Sequence, residues 1–228
     1  MNDMNMRTMD LWKRTPDRYT NGLLPFFLDE LGKNRVTFIG LNPSFSEAWY
    51  KSKLQGTEYE GIDIREFYSF PESSIFEMER SLAIERLMRT VYPYFNTFKE
   101  LMLKLGDEWN HIDLFYFRET SQKDCKKYIF IRDPLLNQFA EEQLDITKRL
   151  LERIVPKVIV VANALASRIY KDSYGLEFDD EYGCYFTEIG GKRVPTFLTS
   201  MLSGQRALDI FSRERLSWHI RKVLDKFC

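Results

Sequence analysis

Apolar and polar positions along the chain follow two periods, and their order predicts the elements. Arg35-Val36-Thr37-Phe38-Ile39-Gly40-Leu41 is a short run stopped by Asn42-Pro43-Ser44, which predicts a buried strand leading into a turn. From Leu82 to Leu105 apolar residues recur at three- and four-residue steps, interrupted by Pro93, which predicts two helices meeting there. His111 to Phe117 reads as a second strand. Gln138 to Ile154 reads as an amphipathic helix ended by Pro156. Lys157 to Ala162 predicts a third strand, continued as helix from Ala164 to Tyr170. Leu176 to Leu198 is strand-like with Gly190-Gly191 as a hairpin turn, and Arg213 to Phe227 closes the chain as a helix. The first 34 residues are polar and turn-rich apart from a short helix candidate, Leu23 to Leu31.

Strands alternating with helices imply a mostly parallel sheet with helices on both faces. The expected fold is therefore α/β, a three-layer α/β/α sandwich. In such sheets a ligand lies beyond the carboxyl ends of the strands, so the turns after Leu41, Phe117, Ala162 and Leu198 are the places to search. No repeat and no low-complexity linker interrupts the 228 residues, which predicts a single domain over 1–228 with an acidic insertion at about 51–80.

Composition narrows the functional classes. Lys plus Arg is 33 and Asp plus Glu is 34, a formal net charge of -1, which excludes a domain that is basic overall. The charge is uneven. Residues 54–80 carry seven acids against two bases, whereas residues 192–226 carry eight bases and three acids. The second stretch is either a solvated face or a basic lip able to meet phosphates. No apolar run approaches the ~20 residues that span a bilayer, and the N-terminal residues lack a signal-peptide core, so no membrane is expected. Cys125, Cys184 and Cys228 are far apart and odd in number, which predicts reduced thiols and a cytoplasmic setting.

Aromatic residues reach 15%, enough for a large core or for faces on which a base stacks. Trp49, Tyr50, Phe67, Tyr68 and Phe70 follow the first turn and fit either use. Only two histidines occur, His111 and His219, neither near a second likely metal ligand in sequence, so no His-based metal site is expected. Nucleophile-elbow, phosphate-loop and dinucleotide motifs are absent.

Two loops carry candidate chemistry. In Gly40-Leu41-Asn42-Pro43-Ser44-Phe45, Gly40 permits close approach, Pro43 stiffens the turn and Asn42 offers both donor and acceptor. The same residues also suit an ordinary helix-capping turn. The second loop, Thr199-Ser200-Met201-Leu202-Ser203-Gly204-Gln205-Arg206, offers hydroxyls, backbone N–H groups and Arg206 to a phosphate backbone.

Together these segments resemble the uracil-DNA glycosylase superfamily. Gly40 to Ser44 is similar to the motif G-x-N-P-[GS] of its mismatch-specific and single-strand-selective branches. Pro156 to Tyr170 is similar to its third strand and following helix. The loop from Thr199 to Arg206 stands where that family carries the loop that enters the DNA minor groove. Order and spacing agree over most of residues 35–226.

The resemblance implies a uracil-DNA-glycosylase-like fold, no cofactor, DNA or a nucleotide as partner, and cleavage of the N-glycosidic bond of a flipped uracil or other damaged base. It casts Asn42 as the residue that positions water. Gly40, Pro43, Ser44 and Phe45 would shape the base pocket, Asp113 and Phe115 would meet the base at the second strand's end, and Ser200, Ser203, Gln205 and Arg206 would meet the nucleic acid. The chain departs from the family at Leu198-Thr199-Ser200-Met201, where a histidine usually donates to the base, and at Asp113, where the family often has Asn. Two alternatives stay open: a nucleotide- or nucleic-acid-binding protein on the same fold without catalysis, and a hydrolase of free nucleosides.

Overall fold

The computed structural model describes residues 2–70, 75–204 and 207–227. In chain order the helices and strands are α1 (Asn2–Lys13), α2 (Asp17–Thr20), β1 (Val36–Gly40), α3 (Glu47–Leu54), α4 (Ile64–Phe67), α5 (Ile75–Val91), α6 (Asn96–Leu105), β2 (Trp109–Asp113) and α7 (Gln122–Ile129). They continue with β3 (Phe130–Arg132), β4 (Leu135–Leu136), α8 (Gln138–Ile154), β5 (Val158–Ala162), α9 (Ala164–Tyr174), β6 (Phe178–Asp179), β7 (Cys184–Ile189), β8 (Lys192–Thr199) and α10 (Ile210–Phe227). Backbone packing divides the chain into two compact units. One draws on residues within 1–30, 42–92 and 115–147, the other on residues within 31–41, 93–114 and 148–228.

The second unit holds a six-stranded sheet of order β2-β1-β5-β8-β7-β6. β2, β1, β5 and β8 run parallel, and β7 and β6 extend the sheet antiparallel. The protein is thus α/β with a mostly parallel central sheet. β5 reads Val-Ile-Val-Val-Ala and is buried along its whole length, as a strand covered on both faces must be. One face presents Phe38, Val160 and Phe197 in register. Phe98 of α6 meets Phe38 edge-on at 5.0 Å, and His219 of α10 meets Phe197 at 5.0 Å. On the other face Tyr170 of α9 donates to Thr187 Oγ1 at 3.2 Å. Gly190 and Gly191 both take positive φ, 56° and 77°, which a two-residue hairpin requires and a side chain resists.

The first unit is organised around a buried cation. Arg118 is fully buried. Its Nη1 pairs with Glu85 Oε1 at 2.7 Å, its Nε donates to the Leu24 carbonyl at 3.2 Å, and its guanidinium lies 4.3 Å from the Tyr68 ring centroid. The Tyr50 and Tyr68 hydroxyls both donate to Glu85. Burial, then the Glu85 charge, push both phenols above their ordinary pKa. Around this cluster Leu23, Phe27, Leu54, Ile64, Ile84 and Met88 form the core. The acidic stretch from 51 to 80 contributes Leu54, Ile64 and Tyr68 to it.

Most predicted elements are present, and three expectations need correction. Leu23 to Leu31 forms no helix. Pro25 has no N–H and disfavours helix before it, and the neighbouring backbone groups pair elsewhere: Leu24 N with Tyr68 O, Phe26 N with Tyr116 O, and Leu28 N with Asn5 Oδ1. The second strand ends at Asp113, because Tyr116 N leaves the ladder for Gln143 Oε1. The N-terminal residues form α1, whose buried face mixes Met4, Leu11 and Trp12 with Asn5 and Thr8. No helix among the described residues is long and apolar enough to cross a membrane.

The buried ion pair gives a direct prediction. Glu85→Ala strands the Arg118 charge and should lower unfolding free energy by about 3–5 kcal/mol in a denaturant titration. Glu85→Leu combined with Arg118→Met should recover most of that loss, since neither charge is then left alone.

Candidate functional site

The sheet's connections diverge at β1. The chain runs from β1 to its neighbour β2 on one side, and from β5 to β8 on the other, so the crossovers diverge at the carboxyl ends of β1 and β5, the place where open parallel sheets generally bind ligands. At that edge the parallel register sets Gly40 opposite Asp113 and Phe38 opposite His111. Leu114 N donates to Gly40 O at 3.1 Å, carrying the pairing one bond past the strand. A Cβ on Gly40 would collide with Asp113 Oδ1 and come within 3.3 Å of its Cγ and 3.5 Å of His111 Nε2. The carboxylate therefore occupies the space a side chain at position 40 would take. His111, on the same face of β2, is walled by Tyr94, Phe95 and Phe98 at ring distances of 5.1–5.7 Å.

The adjacent strand ends are closed by side-chain clamps. Asn163 caps α9, its Oδ1 accepting from Leu165 N and Ala166 N. Ser167 Oγ lies 3.1 Å from Val161 O, 2.9 Å from Thr199 O and 3.2 Å from Thr199 N, tying the end of β5 to the end of β8. Beyond Thr199 the loop turns back through Leu208 N to Met201 O, held by buried Leu202, with Gly204 at φ 87°. Ser200 and Ser203 are half-buried in it, and Ser203 Oγ is enclosed with no hydrogen-bond partner among the described residues. Gln205 and Arg206 lie outside the described residues.

Asn42, two residues past Gly40, belongs to the other unit, where protein groups engage its amide. Its Nδ2 donates to Glu119 O at 2.7 Å and Pro43 O at 3.1 Å, with Phe117 O at 3.4 Å. Its Oδ1 accepts from Cys125 Sγ at 3.1 Å. The same turn is stitched further by Glu119 N to Pro43 O and by Thr120 Oγ1, which pairs with both N and O of Phe45. Ser44 Oγ meets the Tyr92 hydroxyl at 3.1 Å, and Ser46 caps α3. Phe45 packs on Tyr50 and Tyr68 at 5.6 and 5.5 Å. Phe115 is fully buried and stacks on Phe117 at 5.9 Å, which makes it a core residue.

Of the residues singled out by sequence, the sheet unit brings together Gly40 and Asp113, while Asn42, Pro43, Ser44 and Phe45 form a braced turn in the other unit. Sequence reading missed Glu119, Thr120 and Cys125, which hold that turn. It also treated His111 as a strand opener, although the spacing His111-Ile112-Asp113 puts both polar groups on one face. Two clefts in the first unit, about 430 and 270 Å³, are lined by α1, α8 and their neighbours and include none of these residues. In the larger, Arg14 pairs with Glu142 and holds that carboxyl below the usual carboxylate range. Among the described residues no three His, Cys, Asp or Glu side chains are grouped to hold a metal.

A scan against protein-family models and a search of the curated proteins find no match to this chain. The fold is that of an α/β protein with a mostly parallel central sheet, in which the Asp113 side chain packs against Gly40 at the carboxyl end of two parallel strands.

Two measurements check this geometry. Gly40→Ala must displace the Asp113 carboxylate and should cost about 1–3 kcal/mol in thermal or chemical unfolding. Burial, then the nearby Glu119 charge, push the Cys125 thiol up to about 12. A thiol raised above its unfolded value of about 8.5 stabilises the fold below that pH and loses the contribution as pH rises toward 12. Native protein at pH 8 should therefore alkylate Cys125 far more slowly than unfolded protein, read by mass spectrometry.

Proposed function

We propose that the protein is a DNA base glycosylase on a three-layer, uracil-DNA-glycosylase-like fold, holding an extruded base at the carboxyl edge of its parallel strands while water cleaves the N-glycosidic bond. The observation that carries the reading is the Gly40–Asp113 juxtaposition. A side-chain-free strand end and a polar group meet where open parallel sheets bind ligands. The sequence Gly40 to Ser44 and the loop after β8 support it by their likeness to the family's two motifs. Helices on both faces of the sheet fit the same architecture.

One observation favours a second reading, recognition of a nucleotide or nucleic acid without cleavage. The amide of Asn42, which the family resemblance casts as the holder of the water, is engaged on both of its heteroatoms by the protein. With no histidine in Leu198 to Met201, the transition-state donor is also missing, a loss that typically costs ~2.7–4 kcal/mol of stabilisation.

Base release from single- and double-stranded oligonucleotides carrying uracil, hypoxanthine, xanthine or mismatched bases separates the two. A glycosylase yields free base by chromatography. A binding protein yields none yet holds DNA with an affinity that falls as salt rises. Asn42→Ala should lower stability by about 1–3 kcal/mol, because it strands the Cys125 and carbonyl partners. If the folded variant still releases base at the wild-type rate, Asn42 is a brace and has no part in placing water.

A further inference from the structure

We infer that the outer face of α10 is a docking surface for a single-stranded nucleic acid, on which Phe211 and Trp218 stack against unpaired bases while Arg215 and Lys222 meet phosphates. The inference concerns a surface away from the strand ends and does not need a base to be cleaved there. Its starting point is the basic stretch at 192–226, most of whose cations fall on α10. Several of them are already engaged. Arg193 pairs with Asp179, Lys226 pairs with Glu181, and Arg221 donates to the Lys104 carbonyl. Arg215 and Lys222 are exposed and have no carboxylate partner among the described residues. One face of the helix is committed to the core: Ile220 and Val223 are buried, and His219 lies against Phe197. On the opposite face two large rings stand in solvent, Phe211 at 66% and Trp218 at 62% exposure. Exposed apolar surface gathered on one face and rimmed by polar groups marks an interaction site.

Helical geometry arranges these groups in rows. Phe211 and Trp218 are two turns apart, nearly in line and separated by about 10 Å along the axis, and Arg215 and Lys222 form a second row beside them. The Lys222 ammonium lies 5.9 Å from the Trp218 ring centroid, so the two rows adjoin. Glu214 and Asp225, both exposed, line the other margin of the rings. Across the face the order is therefore acid, ring, cation. A single strand has the matching layout, with phosphates along one side and bases along the other. Every base offers a π-face to a ring, and every nucleotide offers a charge to Arg or Lys. The acids on the far margin repel phosphates, which leaves the strand one way to lie. A duplex keeps its base faces stacked inside, so it can use the cations and not the rings. An anionic membrane fits less well, because a helix seated there sinks its apolar face into the lipid, and that face of α10 is taken by the sheet. The stripe also begins beside the loop that follows β8. Leu208 N donates to Met201 O, and Asp209 then caps the first turn through Phe211 N and Ser212 N.

The test is fluorescence anisotropy of a labelled oligothymidine, alone and in duplex with oligoadenine, titrated with the full chain. Wild type should hold the single strand at least about tenfold more tightly than the duplex. Trp218→Ala should weaken single-strand binding by about 5- to 150-fold, and Trp218→Phe should restore most of it. Arg215→Gln combined with Lys222→Gln should reduce the slope of log affinity against log salt by about 1.4, the release expected for two phosphates of a single strand. A thermal melt establishes that each variant is folded, and should one fail to fold, the wild-type strand preference decides. No binding of the single strand, equal or tighter binding of the duplex, unchanged affinity in folded Trp218→Ala, or an unchanged salt slope overturns the inference. Binding to phosphatidylserine vesicles that oligothymidine fails to compete also overturns it. The glycosylase reading stands or falls separately. Base release by a protein whose strand affinity ignores Trp218 keeps the enzyme and removes this surface, whereas strand binding through Trp218 without base release does the opposite.

Discussion

Parallel pairing between β1 and β2 is the constraint from which the candidate site follows. Both strands are buried, so a slip of one residue would send Phe38, His111 and Asp113 to the wrong face of the sheet. The aromatic wall of Tyr94, Phe95 and Phe98 around His111, and Phe98 edge-on to Phe38, hold the register in place. Once Phe38 is opposite His111, Gly40 is opposite Asp113, and position 40 has room for hydrogen alone. The glycine is therefore explained by a close approach, since its φ needs no special freedom.

In the other unit the governing interaction is the buried pair of Arg118 and Glu85. Its cost in desolvation is met by two tyrosine hydroxyls, a backbone carbonyl and an aromatic face. Arg118 stands next to Glu119, whose N–H and carbonyl hold Pro43 and Asn42. The buried cation thus fixes the segment that fixes the turn. A motif can keep its letters while its asparagine serves as a brace, and this turn has the hydrogen bonds of one.

Much of the fold was legible because its signals are local. The helix over Gln138–Ile154, the strand before Pro43, the break at Pro93 and the glycine hairpin each follow from periodicity, from proline's fixed φ or from glycine's tolerance of positive φ. What was not legible depended on partners far along the chain. Leu23 to Leu31 has the composition of an apolar helix, but its N–H groups are claimed by Tyr68, Tyr116 and Asn5. α1 was hidden because its buried face includes Asn5 and Thr8, satisfied at Leu28 and Met4. For the site, Gly40 and Asp113 were both visible as candidates, yet nothing in their spacing showed that one fills the space left by the other. Likewise Asn42 looked available because Glu119 and Cys125, 77 and 83 residues away, are not visible from a turn motif.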